Sequence, residues 1–475
     1  MALELEKSAV EPRGLRSNDR DEKDAEAGFA PSAQPSPPSG DSTSTNQEIS
    51  YPEGGLQAWL VVLGAFCGTA ASIGLYNTSG LFEAYMATQL LPNESSSKIG
   101  WIFGIYAFVT WFLGVQVGPT FDAVGPTMLM LAGSICTLGG IFSLSASIEY
   151  YQIILAFSIL TGAGTSLLFN PAVASVAHWF DERRGFASGI AWIGSGIGGV
   201  IFPLMIQSLL PQIGWAWSLR AFGLVLFVLC TVSVTLCRSR VPPRNGLDTT
   251  WRDAIPSARI FFDGTGAMAL TTAGAVLTDL AYYIPMTYIP SYYIARQQLS
   301  SEDVLTGKAA FAYQLLAIAN GSSCVGRLLA GYISDRLGRY NTMIVSLFLC
   351  AASVLCFWLA DILSPEVVNI GLLIVFVMLF GCVSGSNVSL LPVCMGQLCD
   401  TRDFGRYYAT CFSVVAFGAL ISIPVAGALI DAVDEPGKKK FWGVAVFTGL
   451  CYVAATLCFV WVRLRVKGFS WKTKW

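Results

Sequence analysis

Twelve long apolar runs, each parted from the next by a short polar break, follow one another between residues 56 and 463. A helix needs about 20 apolar residues to cross the hydrocarbon core of a bilayer. The runs at 56–82, 99–118, 126–146, 151–177, 185–207, 216–236, 264–292, 308–330, 341–361, 367–391, 406–430 and 441–463 have that length. Inside lipid, backbone N–H and C=O groups must be satisfied within the segment, which leaves the α-helix for runs of this kind. The charged fraction agrees: 13% of the 475 residues, against about 25% in soluble proteins.

A second regularity divides the twelve into two sixes. Gly118, Asp122 and Gly125 follow the second run, and Gly331, Asp335 and Gly338 follow the eighth, both spelling G-x-x-x-D-x-x-G. Arg184 and Pro203 in the fifth run are echoed at nearly the same spacing by Arg406 and Pro424 in the eleventh, which makes those two helices counterparts. The expected fold is all-α, with twelve transmembrane helices in two six-helix pseudo-repeats, and such duplication places a substrate site between the halves near the midplane. The organisation read from the sequence is a disordered cytoplasmic tail at 1–50, a first half at 51–236, a cytoplasmic linker at 237–263, a second half at 264–463 and a cytoplasmic tail at 464–475. The first 50 residues are rich in Ser, Pro, Asp and Glu with no apolar run, so they form neither a core nor a signal peptide. Lys and Arg concentrate on the breaks that share a side with both termini, Lys438, Lys439 and Lys440 excepted, so both termini are expected in the cytoplasm.

Several function classes drop out. A net charge of −2 suggests no nucleic-acid partner. The 13 cysteines mostly lie inside apolar runs, no C-x-x-C spacing occurs, and there is one histidine, His178; neither a metal site nor any other cofactor is expected. The G-x-G-x-x-G string at Gly194, Gly196 and Gly199 lies mid-span, where helix packing explains it better than a dinucleotide does. There is no G-x-x-x-x-G-K-[ST] loop for an ATP-driven pump.

Polar groups inside the spans are the candidates for a site, because a charge there costs about 2.5–3.5 kcal/mol. Asp279, mid-way along the seventh run, reads as a protonatable carboxyl or as half of a structural ion pair. Arg327, in the eighth, reads as a clamp for a substrate carboxylate or carbonyl, or as a side chain reaching for the interface. Asn77, Asn170, Gln314, Asn320 and Asn387 line a cavity or join helices. Tyr282, Tyr283, Trp192 and Phe169 stack on a planar substrate or simply pack. In the duplicated motif, Gly118, Asp122, Gly125, Gly331, Asp335, Arg336, Gly338 and Arg339 are expected to form conformational latches in two short loops. Asn93 begins an N-x-S sequon in the first outside loop and is the candidate for glycosylation.

From about residue 51 onward the chain resembles the major facilitator superfamily, and more narrowly its fungal branch of monocarboxylate-porter-like carriers. The residues that carry the resemblance are Glu53, Gly54, Gly55 and Trp59 before the first helix, the string from His178 to Gly189 leading into the fifth, and Asn320 to Arg327 running on to Asp335, Gly338, Arg339 and Asn341. The resemblance implies the major facilitator fold and a carrier that moves a small organic solute by alternating access. In this branch the solutes include organic acids, vitamins and secondary metabolites, some of them exported. It also implies a driving gradient, with proton coupling as one option. Two departures matter. Animal monocarboxylate carriers use a first-helix lysine and an aspartate one turn before the eighth-helix arginine; here the stretch from Gly74 to Glu83 has no lysine, and Ser323 stands one turn before Arg327. Their lactate–proton mechanism does not carry over. A plasma-membrane carrier is expected, with the vacuolar membrane as the alternative location and a non-transporting nutrient sensor as the alternative function.

Overall fold

The computed structural model describes residues 53–180, 184–240, 258–262, 264–299, 310–364, 370–399, 404–433 and 437–468. The expected tail at 1–50 and most of the expected linker lie outside them. Twelve long helices follow in order: α1 (Leu56–Leu90), α2 (Ser96–Val124), α3 (Pro126–Leu144), α4 (150–177), α5 (184–213), α6 (215–236), α7 (Ala267–Arg296), α8 (Ala310–Leu337), α9 (Arg339–Leu363), α10 (Gly371–Gly396), α11 (Phe404–Asp431) and α12 (Trp442–Lys467). α5 and α6 run into one another and part at Gly214, where φ is +72°. Ten helices among the described residues are long and apolar enough to span by composition, with α5 and α6 taken as one. The missing member is α8, which carries Gln314, Asn320, Ser322, Ser323 and Arg327.

The duplicated motif is less of a loop than its glycines suggest. Its first seven residues finish α2 in one copy and α8 in the other. Only the last glycine breaks the chain, Gly125 at φ +82° and Gly338 at φ +94°. Both bond back through their N–H, Gly125 to the Phe121 carbonyl at 2.8 Å and Gly338 to that of Ser334 at 2.9 Å, and the next helix starts at once. Side chains disfavour positive φ, so glycine is needed there; Gly118 and Gly331 stand in ordinary helix. The side chains of Asp122 and Asp335 lie outside what is described. Arg336 rests over the Tyr332 ring at 4.3 Å.

α1 departs from regular helix where its polar residues cluster. A π-turn at Ala70–Gly74 leads to a break at Asn77–Thr78, and a second π-turn closes the helix at Met86–Leu90. Around the break Thr78 Oγ1 donates to the Gly74 carbonyl (3.0 Å) and Ser79 Oγ to that of Tyr76 (2.5 Å), side-chain bonds that compete with the helix ladder.

Large exposed apolar side chains gather on α3 (Met128, Ile135), α6 (Leu224, Phe227), α9 (Val345, Phe348) and α12 (Leu450, Leu457). Every third helix therefore presents a face suited to lipid. The other helices meet across the two sets of six in three seams: α1 on α7, α2 on α11, and α5 on α8. Close approach depends on glycine. A Cβ on Gly104 of α2 would stand 2.3 Å from the Leu420 carbonyl oxygen of α11, and one on Gly80 of α1 would stand 2.7 Å from the Met286 oxygen of α7. Both carbonyls precede a proline by four residues, Pro424 and Pro290, so neither receives its usual helix hydrogen bond. The third seam repeats the arrangement. Pro203 frees the Gly199 carbonyl of α5, and Asn320 Nδ2 of α8 donates to it at 3.1 Å.

The two ends of the bundle differ. At the end away from the motifs, the far end, Asp431 of α11 accepts from the backbone N–H groups of Ser96 (3.2 Å) and Ser97 (3.0 Å), which start α2. Glu83 of α1 accepts from Ser291 Oγ of α7. At the motif end, Cβ atoms placed on Gly118, Gly189 and Gly331 would meet no described atom within 4 Å. The bundle is drawn together at the far end by these contacts between the two sets of six.

Candidate functional site

Midway along the helices, the charged and aromatic residues of both sets of six come together. Arg327 Nη1 donates to Ser195 Oγ of α5 at 2.8 Å and reaches the Trp192 carbonyl at 3.4 Å. Its guanidinium also stands 5.9 Å from the centre of the Trp192 ring. The Ser195 carbonyl in turn accepts from Asn77 Nδ2 at 3.2 Å, at the break in α1. Asn320, Cys324 and Arg327 form one stripe of α8, and it follows Gly199, Gly196 and Ser195 along α5.

From Arg327 an aromatic circuit runs through both halves. Trp192 meets Phe169 of α4 (ring centres 5.0 Å), and Phe169 meets Trp111 of α2 (6.2 Å). Trp111 Nε1 donates to the Tyr283 hydroxyl of α7 at 2.8 Å. Tyr283 packs on Tyr282 (5.1 Å), whose hydroxyl lies close enough to Arg327 to interact with its charge. Tyr76 of α1 and Phe412 of α11 widen the circuit, against Tyr283 (5.3 Å) and Trp111 (5.8 Å). The rings alone would make a packed core. Arg327 Nε, and one helical turn earlier Ser323 Oγ against Gly385 of α10, are buried with no hydrogen-bond partner. An unmet buried donor is costly.

Asp279 lies 8% exposed on α7, beside the same circuit. It forms no ion pair among the described residues; the two pairs there are Lys98–Glu94 and Arg296–Asp361. The hydroxyls of Tyr76, Tyr282, Tyr283 and Tyr452 lie within reach of its charge. Asp279 and Arg327 therefore share a neighbour, Tyr282, without pairing directly.

The neutral candidates divide. Asn77 and Asn320 join helices at or across the seams. Asn170 donates to the Ser166 carbonyl of its own helix at 3.0 Å, and its amide lies over Gly114 of α2. Asn387 donates to Cys350 Sγ of α9 at 3.3 Å, while its Oδ1 is buried without a partner. Gln314 is exposed on α8, and Asn93 is exposed in the turn before α2.

Three groups escaped the reading of the sequence. Glu83 ends an apolar run, where an acid looks like an interfacial residue. Arg296 of α7 and Asp361 of α9 also stand at run ends, yet form a buried two-point pair at 3.0 and 3.2 Å, with Tyr292 OH adding a bond to Asp361 at 2.5 Å. Arg463, at the expected end of α12, is 1% exposed and bonds Asn341 beside the second motif.

Comparison with known proteins identifies the architecture. A family model described as Major Facilitator Superfamily matches residues 64–410 and, overlapping, 323–474. The riboflavin transporter MCH5 of Saccharomyces cerevisiae is 33% identical over 446 residues, covering 90% of this chain and 82% of that protein. The fujikurins efflux protein of Gibberella fujikuroi is 31% identical over 421 residues, covering 88% and 86%. Among solved structures, the nucleoside transporter NupG superposes with a TM-score of 0.68 at 12% identity, covering 86% of this chain and 99% of its own; the peptide transporter POT in complex with sulfate gives 0.66 at 12%, covering 88% and 96%. At that identity the two structures speak for the fold alone.

Proposed function

The chain belongs to the major facilitator superfamily and is a multi-pass secondary transporter, and we propose that its substrate is a planar organic acid held at the Arg327 circuit and carried with protons through Asp279. The observation that carries this reading is the partly unmet guanidinium of Arg327, its Nε buried without a partner, beside Trp192 and Tyr282 from the two halves. A guanidinium offers two parallel donors to a carboxylate, and rings such as Trp192, Phe169 and Trp111 stack on a flat π-system at little entropic cost. Asp279 is a carboxyl at the same level with no ion pair among the described residues, placed to take up and release a proton during the cycle. Asn77, Asn170 and Asn320 would supply further hydrogen bonds; Gln314 and Asn387 face elsewhere in this state.

The two motif copies act as latches at the motif end, which the distribution of Lys and Arg assigns to the cytoplasm. On that assignment the far-end contacts lie on the outside, both termini are cytoplasmic and Asn93 is accessible to glycosylation from outside. The plasma membrane is the proposed location. One relative is named for riboflavin transport and another for efflux of fujikurins, which supports an organic solute and leaves direction to experiment.

Metabolite profiling of cells and medium, with the gene deleted and restored in its native host, tests the reading. A flat organic acid that accumulates in deleted cells and falls in the medium means export; one left in the medium and depleted in cells means uptake. An unchanged profile in both, followed by no flux in reconstituted vesicles, rejects transport. With the substrate in hand, Asp279→Asn should abolish the pH dependence of flux while the protein still reaches the membrane. Unaltered pH dependence would remove Asp279 from coupling.

A further inference from the structure

Glu83 is a second enclosed acid, far from the Arg327 circuit and with surroundings of another kind. It is 2% exposed and lies between the Asn77–Thr78 break and the second π-turn of α1. Its hydrogen bond comes from Ser291 Oγ on α7, so the contact crosses the seam between halves. One turn earlier, Gly80 lets α1 close onto the Met286 carbonyl freed by Pro290. The acid thus stands in one of the close contacts between the two halves at the far end.

A cavity of about 420 Å³ opens onto it, lined by Glu83, Thr88, Tyr288, Ser291, Gln298 and Lys440 among others. The groups facing Glu83 come from every packed element. Tyr288 of α7 lies near its charge and donates its own hydrogen bond to the Ile423 carbonyl of α11 at 3.3 Å. Tyr313 of α8 lies near it too, with a buried hydroxyl that has no partner. Asp431 of α11 is engaged by the start of α2, and Lys98 of α2 is held by Glu94 at 2.7 Å. Arg296 is held by Asp361. Lys440 lines the cavity without an ion pair to Glu83 among the described residues.

A full negative charge enclosed by hydroxyls, with each nearby cation engaged or out of range, is costly; a bound proton removes the charge and keeps the hydrogen bond to Ser291. We infer that Glu83 is the proton-exchange group of the α1–α7 seam: protonated, it holds the far end shut on Ser291, and deprotonated, it draws water from the cavity and parts the two helices. The carboxyl O–H bond breaks, the proton passes to cavity water, and the electron pair stays on the carboxylate. This inference rests on the carrier reading for its purpose, since only a protein that alternates needs such a seam, but its test needs no substrate.

Hydrogen exchange of the purified full-length protein, corrected for intrinsic exchange chemistry, should show segments 79–90 and 286–296 losing protection as pH rises. The opening equilibrium should shift by up to about tenfold per pH unit, as one linked proton requires. Glu83→Gln should hold both segments protected at every pH. Ser291→Ala keeps the acid and removes its partner, so it should retain the pH slope with its midpoint displaced to lower pH; it also serves if the first variant fails to fold. A flat wild-type profile, or a normal slope in Glu83→Gln, overturns the assignment and leaves the carrier reading untouched, because that reading stands or falls on metabolite flux.

Discussion

At the scale of the residue, this molecule is defined by which polar groups are spoken for. Asp361 and Arg296 satisfy one another, and Asp431 caps a helix. Arg327 is only partly engaged: Nη1 has Ser195 Oγ at 2.8 Å, while Nε has nothing. On the proposed reading, a substrate carboxylate meets a guanidinium oriented but not saturated. Arg327→Lys keeps the charge and loses the planar fork, so substrate affinity should fall roughly tenfold or more, the worth of a charge-assisted bond of about 1.5–3 kcal/mol. A near-normal Michaelis constant for the solute identified by profiling would show that Arg327 is a structural residue. Asp279 and Arg327 were legible in the sequence because a charge inside an apolar run is conspicuous. Glu83 was not, because it terminates its run and burial there comes from α7, far along the chain. The unmet Ser323 hydroxyl was invisible for a similar reason: a serine declares neither burial nor partner until neighbouring helices are placed around it.

At the scale of the element, hydropathy located the helices and misjudged their ends. α1 was expected to stop at 82 and runs to Leu90, since the π-turn at Met86–Leu90 absorbs Thr88 and Gln89 without a break. The motifs were expected as loops and lie mostly in helix, because one glycine in the left-handed region is enough to turn the chain. The Arg296–Asp361 pair ties the far end of α7 to that of α9, with Arg296 3% exposed and Asp361 fully buried. Breaking such a pair from one side costs about 3–5 kcal/mol, because the remaining charge is left enclosed. Asp361→Asn should accordingly lower the thermal unfolding midpoint of the detergent-solubilised protein by several degrees and reduce its yield. An unshifted midpoint would mean that the pair adds nothing to how α7 is anchored.

At the scale of the whole molecule, the pseudo-repeat extends from sequence motif to contact. α5 rests on α8 as α11 rests on α2, and the proline-bearing helices α5 and α11 occupy equivalent places. These seams hold the far end together. Gly104→Val places a Cβ 2.3 Å from the Leu420 oxygen, and overpacking of this kind costs about 1–3 kcal/mol. The penalty falls only on the state in which the far end is shut. The variant should remain folded and lose hydrogen-exchange protection in segments 96–106 and 420–430. Full protection there would mean that the seam yields locally and that Gly104 does not set the balance between states. The position of the seams was partly readable from the echo of Arg184 and Pro203 in Arg406 and Pro424. Which helix each counterpart would meet was not, since pairing across halves depends on geometry that periodicity along one chain does not encode.

The proline-freed carbonyls at all three seams have a consequence for how such a chain diversifies. The acceptors at Leu420 and Met286 belong to the backbone, so each would survive most exchanges of the side chain attached to it, whereas Gly199 must stay bare because a Cβ there would stand 2.6 Å from Asn320. On the proposed reading, substitutions around the Arg327 circuit other than at Asn320 retune the cargo while the joints at Leu420 and Met286 keep their grip. A lineage built this way can inherit its mechanics intact and acquire new solutes one pocket residue at a time.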